Sequence, residues 1–227
     1  MKNLLVSSAI IALLSAGAAS AEVAFEKGTV GVNFGIIDDE DYTLVDIDAK
    51  VAFTTGNFGF QIDAGVIGFT DFSDMESFGT SGLHFYKNTA NGAKFGAFLS
   101  NTVTIRQVGV EAMVPLGALD IEGSFGAFNE DFGSSDYYEA TFDLYYGVSE
   151  RIELNAGVNH FFDADGSDTT YHVNGTYMFP NSGVAVTVGY EDFDGESIIN
   201  AGVSWSFGPN QDTRLFSDRN FNLIFGT

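Results

Sequence analysis

The chain has no cysteine, which removes disulfide bonds and thiolate chemistry together. Its charge is one-sided: nine lysines and arginines stand against 31 aspartates and glutamates, a formal net charge of −22. So few cations exclude nucleic acid as a partner and disfavour electrostatic docking onto anionic lipid. Beyond the N-terminal region no run of about 18 consecutive apolar residues occurs, so no transmembrane helix is expected. Proline is confined to Pro115, Pro180 and Pro209, and histidine to His84, His160 and His172. No phosphate-cradling glycine loop, zinc cluster or nucleophile elbow is present, so no cofactor is expected.

Lys2 gives a basic start, residues 4–14 form an apolar run, and Ala19, Ser20 and Ala21 are small. This reads as a secretory signal peptide over residues 1–21, cleaved after Ala21, because the apolar run is short for a membrane span. Cleavage removes Lys2 and makes the remainder one unit more negative.

Residues 23–207 read as one long series of alternating strands. Over 138–147, Tyr138, Ala140, Phe142, Leu144 and Tyr146 share one face, and Glu139, Thr141, Asp143 and Tyr145 share the other. In a soluble periplasmic sandwich the apolar face would turn inward. Repeated around a closed sheet in an exported chain, it is expected to turn outward to lipid, with the charge in a wet lumen. The pattern predicts twelve strands: 29–37, 42–54, 58–69, 81–89, 93–99, 103–114, 119–128, 136–147, 151–162, 169–179, 184–191 and 197–207. Strands 4 and 5 are the weakest, and if they form one irregular loop the count is ten.

The connections agree with that reading. Tight turns at 55–57, 89–92, 115–118, 149–151 and 180–183 suit periplasmic ends; 38–41, 71–80, 129–136, 163–168 and 191–196 suit acidic outer loops. The prolines fall at the turn ends, outside the strands, as a closed ladder requires. The expected fold class is therefore all-β, a closed antiparallel transmembrane barrel spanning 22–207, followed by a C-terminal extension over 208–227.

The proposed lipid face includes Val30, Phe34, Ile47, Phe60, Val108, Val110, Leu154, Val173, Val188 and Val203. Phe53, Phe58, Tyr146, Phe179, Trp205 and Phe207 would form an interfacial girdle at the turn end. The opposite face carries Asp46, Asp48, Lys50, Asp63, Glu111, Asp120, Glu122, Glu139, Asp143 and Glu153. A carboxylate facing hydrocarbon costs several kcal/mol, about 2.5–3.5 on insertion scales, so these residues are expected to line the lumen and leave it strongly negative.

At this point the chain resembles the small porin-like outer-membrane barrels of alphaproteobacteria. The resemblance is carried by Ala21-Glu22-Val23-Ala24-Phe25, by residues 147–158 (Gly-Val-Ser-Glu-Arg-Ile-Glu-Leu-Asn-Ala-Gly-Val), and by the ending Ala201-Gly202-Val203-Ser204-Trp205-Ser206-Phe207. It implies passive diffusion of small solutes and supplies no catalytic residues. The chain departs from the longer members of that group in having no counterpart of their pore-folded loop. It departs again after the aromatic Phe207, where residues 208–227 follow and bring Arg214 and Arg219. That tail suits an extension or a return into the acidic lumen, and 221–225 has the composition of a further strand; we read it as an extension.

The expected function is a cation-preferring diffusion channel in which carboxylates raise the local cation concentration in a low-dielectric tube. Its partners would be outer-membrane lipid, lipopolysaccharide, and small solutes or cations, in a monomer or homo-oligomer. Arg106 shares the outward parity near the outer rim, where it reaches a lipid phosphate or snorkels. The alternative is a non-conducting barrel serving adhesion or envelope structure. A third reading places a rim hydrolase at His160, with Asp163 and Asp165 following and His172 facing it across the hairpin. Residues 163–168 also resemble half of a calcium loop, without its remaining ligands.

Overall fold

In a computed structural model, residues 23–37, 43–70, 75–102, 105–130, 137–162, 166–193, 196–211, 213–217 and 219 are described. The signal peptide, the acidic residues of 38–41 and 131–136, Asp163, Asp165 and the segment 221–225 lie outside them.

Twelve strands form: β1 (Ala24–Ile37), β2 (Thr43–Thr55), β3 (Phe58–Thr70), β4 (Met75–Asn88), β5 (Lys94–Asn101), β6 (Ile105–Leu116), β7 (Leu119–Glu130), β8 (Tyr137–Ser149), β9 (Ile152–Phe162), β10 (Ser167–Met178), β11 (Val184–Phe193) and β12 (Glu196–Phe207). Each pairs antiparallel with its neighbour in sequence, and β1 closes the ring against β12 in the register Gly28↔Phe207 to Ile37↔Ile198. Closure leaves no unpaired edge, which an apolar surroundings would otherwise penalise group by group.

The ten-strand alternative is overturned. β4 and β5 are separate strands, paired from Ser81↔Asn101 to Asn88↔Lys94. β4 begins at Met75, six residues before the predicted start, and pairs with β3 from Thr70 onward. Its opening Met-Glu-Ser-Phe-Gly-Thr lacks alternation, but ladder hydrogen bonds need only backbone. Pro115 is the penultimate residue of β6 and not part of the turn beyond it, in the rung with Asp120 next to the turn. At a strand end a missing N–H costs little.

Alternation decides the two faces. Val108, Val110, Val188, Ile199 and Val203 are more than half exposed on the outer surface, while Gln61, Asp63, Glu111, Glu122 and Glu139 are almost fully buried inside the ring. This is the reverse of a soluble sandwich. Aromatic rings gather at the turn end, where Phe53 packs on Phe25 and Phe60, and Trp205 on Phe207. Some inward positions are apolar, which the two-face reading left out. Ile37, Leu44, Ile67, Ile105, Phe128, Phe161 and Ile198 are all buried and form an inner collar toward the loop end.

The turns use the left-handed backbone that glycine adopts without penalty. Gly183 has φ +70, and a Cβ there would lie 2.1 Å from the Ser206 carbonyl oxygen. Gly183→Ala is therefore expected to cost at least about 1–2 kcal/mol, read as a lower urea midpoint in reversible unfolding of the refolded protein. An unchanged midpoint would show that the β10–β11 turn rearranges freely.

Candidate functional site

The lumen is built from the inward side chains of alternate residues, and part of it is occupied. After Phe207 the chain turns back at the turn end and rises inside the barrel. Asn210 N–H donates to the Glu26 carbonyl at 3.1 Å. Lys27 Nζ donates to the Thr213 carbonyl at 3.0 Å, and Lys94 Nζ to the Arg214 carbonyl at 2.7 Å. Gln61 holds Phe216 from both sides, donating from Nε2 to its carbonyl at 3.0 Å and accepting its N–H at 2.9 Å. The Phe216 ring is 0 % exposed, packed on Tyr86 and Met113 and stacked on His84 at 5.8 Å. Ser217 N–H donates to Glu122 Oε1 at 3.0 Å.

The two tail arginines meet the predicted carboxylates. Arg214 places Nε 3.2 Å from Asp120 Oδ2, pairs Nη2 with Glu153, and lies over the Tyr145 ring at 3.8 Å. Arg219 places Nη2 2.6 Å from Glu122 Oε1 and 3.4 Å from Glu111 Oε2, and donates from Nη1 to Thr141 Oγ1. Burial works against the Arg219 charge, but Glu122 and Glu111 outweigh it and raise its pKa above the ordinary guanidinium value. The described part of the tail thus lies in the lumen, the second of the two placements the sequence allowed. The physical reason is charge: an acid-lined cavity on a chain with few cations takes the two that a nearby segment offers.

The wall supplies further cations. His84 lies between Asp63 and Glu111, with Nε2 and Nδ1 each 2.8 Å from a carboxylate oxygen. An imidazole with carboxylates at both nitrogens donates from both and carries positive charge. His172 Nε2 is 2.8 Å from Asp143 Oδ1, in room left by Gly157, where a Cβ would come within 2.4 Å of that imidazole.

All ten residues singled out from sequence have inward parity, but they divide into groups. Asp63, Glu111, Glu122, Asp120 and Glu153 each face a cationic side chain, and Asp143 faces the His172 imidazole. Glu139 accepts from Gln107 Nε2 at 2.5 Å. Asp46, Asp48 and Lys50 line the part of the lumen the tail leaves empty. The lumenal carboxylates expected from sequence are therefore partly offset, by two guanidinium groups and by His84.

The remaining space is a polar cleft of about 290 Å³. It runs along the inner wall opposite the tail, from Leu44 and Ile198 toward Lys50 and Tyr145. On β2 that is seven residues, about 20 Å of strand. Amides dominate its wall: Asn33, Asn155, Asn159, Asn174 and Asn200. Asn174 Nδ2 donates to Asn155 Oδ1 at 2.9 Å, and Asn33 Nδ2 to Asp46 Oδ2 at 3.3 Å.

The rim-hydrolase pairing does not form. His160 pairs in register with Thr169 and His172 with Gly157, three residues apart along β10, so the two rings lie on opposite faces of the sheet. His160 bonds Thr169 Oγ1 at 2.9 Å and stacks on Phe162, while His172 is inside with Asp143.

No protein-family model matches the chain, and no curated protein matches it. Among solved structures it is similar to the KdgM porin, in complex with disordered oligogalacturonate. The TM-score there is 0.60 and the identity 10 %, over 79 % of this chain and 99 % of that one. It is similar to the NanC porin with TM-score 0.61 and 8 % identity, over 78 % of this chain and 98 % of that one. At these identities the likeness is one of fold.

Proposed function

We propose that the chain is an outer-membrane, porin-like channel for passive diffusion of small hydrophilic solutes, with cations preferred, and that it has no enzymatic role. The observation that carries this reading is the amide- and carboxylate-lined cleft left open beside the tail. A barrel meant only as a plug has no use for a polar cleft in its lumen. The fold it shares with the two porins supports the reading, as does an outer surface that suits lipid. The oligogalacturonate of the KdgM porin does not carry over, because a polyanion would meet Asp46, Asp48 and Glu191 along the cleft. In this reading the signal peptide is removed on export, lipid and lipopolysaccharide surround the barrel, and Arg106 sits exposed where headgroup phosphates lie.

Selectivity then rests on the cleft carboxylates and not on those already paired with the tail. Refolded protein in a planar bilayer under a KCl gradient is expected to give discrete current steps with a reversal potential favouring K⁺. Asp46→Asn with Asp48→Asn is expected to remove most of that preference, whereas Glu122→Gln is expected to act mainly through the tail. Verified insertion without current in any variant would overturn the channel. It would favour the second reading, a closed barrel for adhesion or envelope structure, which the tail and the inner apolar collar support.

A further inference from the structure

We infer that the inner wall carries a guanidinium- and amine-binding site, formed by Asp120, Tyr145 and Glu153, and that Arg214 occupies it as a ligand supplied by the chain itself. The inference rests on the channel reading only for its use, since such a site defines the solute class that a passing molecule would present.

The site is complete without the tail. Asp120 and Tyr145 are directly opposite in the β7–β8 register, and Glu153 follows on β9 across from Gly147. Three adjacent strands therefore hold two carboxylates and an aromatic face at fixed spacing, the arrangement that receives a planar cation with N–H donors at its edge. The carboxylates grip the edge of the Arg214 guanidinium and Tyr145 takes its face at 3.8 Å.

Two further observations separate this place from an ordinary buried ion pair. Arg214, Asp120 and Glu153 keep 22 %, 29 % and 22 % of their side-chain exposure, while Arg219, Glu111 and Glu122 keep no more than 1 %. The first site is open to exchange and the second is sealed. The open cleft also reaches Tyr145 and Ser217, so a solute in it arrives beside the site.

The tail backbone, moreover, is held independently of the Arg214 side chain. Lys27 grips the Thr213 carbonyl, Lys94 the Arg214 carbonyl, and Gln61 both polar groups of Phe216. Truncating Arg214 to alanine thus removes the ligand and leaves a guanidinium-shaped space between intact walls.

The test is chemical rescue in the full chain. Arg214→Ala, refolded in detergent, is expected to melt below the unsubstituted protein, and ethylguanidinium at low millimolar concentration is expected to raise its melting temperature by about 2–4 °C. Tetramethylammonium, of equal charge but without N–H donors, is expected to leave it unchanged. The unsubstituted protein, with its site filled, and Arg214→Ala combined with Glu153→Gln, with one carboxylate gone, are both expected to show no rise. Equal rises with both cations, or none with either, would overturn the site and leave only general attraction into a negative lumen. If Arg214→Ala does not refold, Arg214→Gln in the same assay decides. The readout is stability, so a barrel that passes no current would refute the channel while this site stands or falls separately.

Discussion

Phe216→Ala is expected to open the lumen. The ring is fully enclosed by Tyr86, Met113 and His84, and removing a buried phenylalanine costs about 3–5 kcal/mol. The loss falls first on docking of the tail, because the strands keep every ladder hydrogen bond when the tail leaves. Local openings of this kind draw on their own small stability. Bilayer conductance is expected to rise several-fold, limited proteolysis to cut between residues 208 and 219, and the melting temperature to fall, because Asp120, Glu153, Glu111 and Glu122 lose their arginines with the tail. Unchanged conductance together with unchanged protease resistance would show that the tail is held without this ring. Substituting Arg219 alone is a less clean experiment, since it leaves Glu111 and Glu122 buried with less compensation.

Val110→Arg is expected to have the largest effect on the barrel itself. Val110 lies midway along β6 with its side chain 59 % exposed on the outer face, flanked in register by Ala97 and Phe125. If that face meets hydrocarbon, an arginine there costs about 2–4 kcal/mol. The comparison is Asn200→Arg on the cleft wall, where water and the nearby carboxylates receive the charge and the loss is expected to be small. Unfolding free energies of both variants in lipid vesicles check this. Equal costs at the two positions would mean that the outer face is not in lipid.

Much of this architecture was legible in the order of residues, because a two-residue period is a local property. The alternation of 138–146 alone assigns Glu139, Asp143 and Tyr145 to one face and Phe142 to the other, and β8 obeys it. What escaped is what has no period. The first six residues of β4 have no alternation to mark them, although Phe78 packs on Phe69 across the rung. Ile37, Leu44 and Ile198 are inward although apolar, because they meet one another or the loop-end collar. His160 and His172 were placed together by nearness along the hairpin, yet an odd offset across a rung sends neighbours to opposite faces. The tail was hardest: Arg214, Phe216 and Ser217 form no regular element, and their partners lie far off in sequence. The one signal was two arginines in a chain with nine basic residues beside a lumen rich in carboxylates.

The spread of the tail's partners has a temporal consequence. Lys27 is 186 positions from Thr213 and Glu153 is 61 from Arg214, and the gripping residues are drawn from β1 and from β3 through β9. No single hairpin offers that receptacle. It comes into being when the first strand meets the last and the ring shuts, so the C-terminal segment settles after everything else has been made. Its ordering marks the end of assembly, and in the unsubstituted chain a protease-sensitive tail marks a wall that has not yet closed.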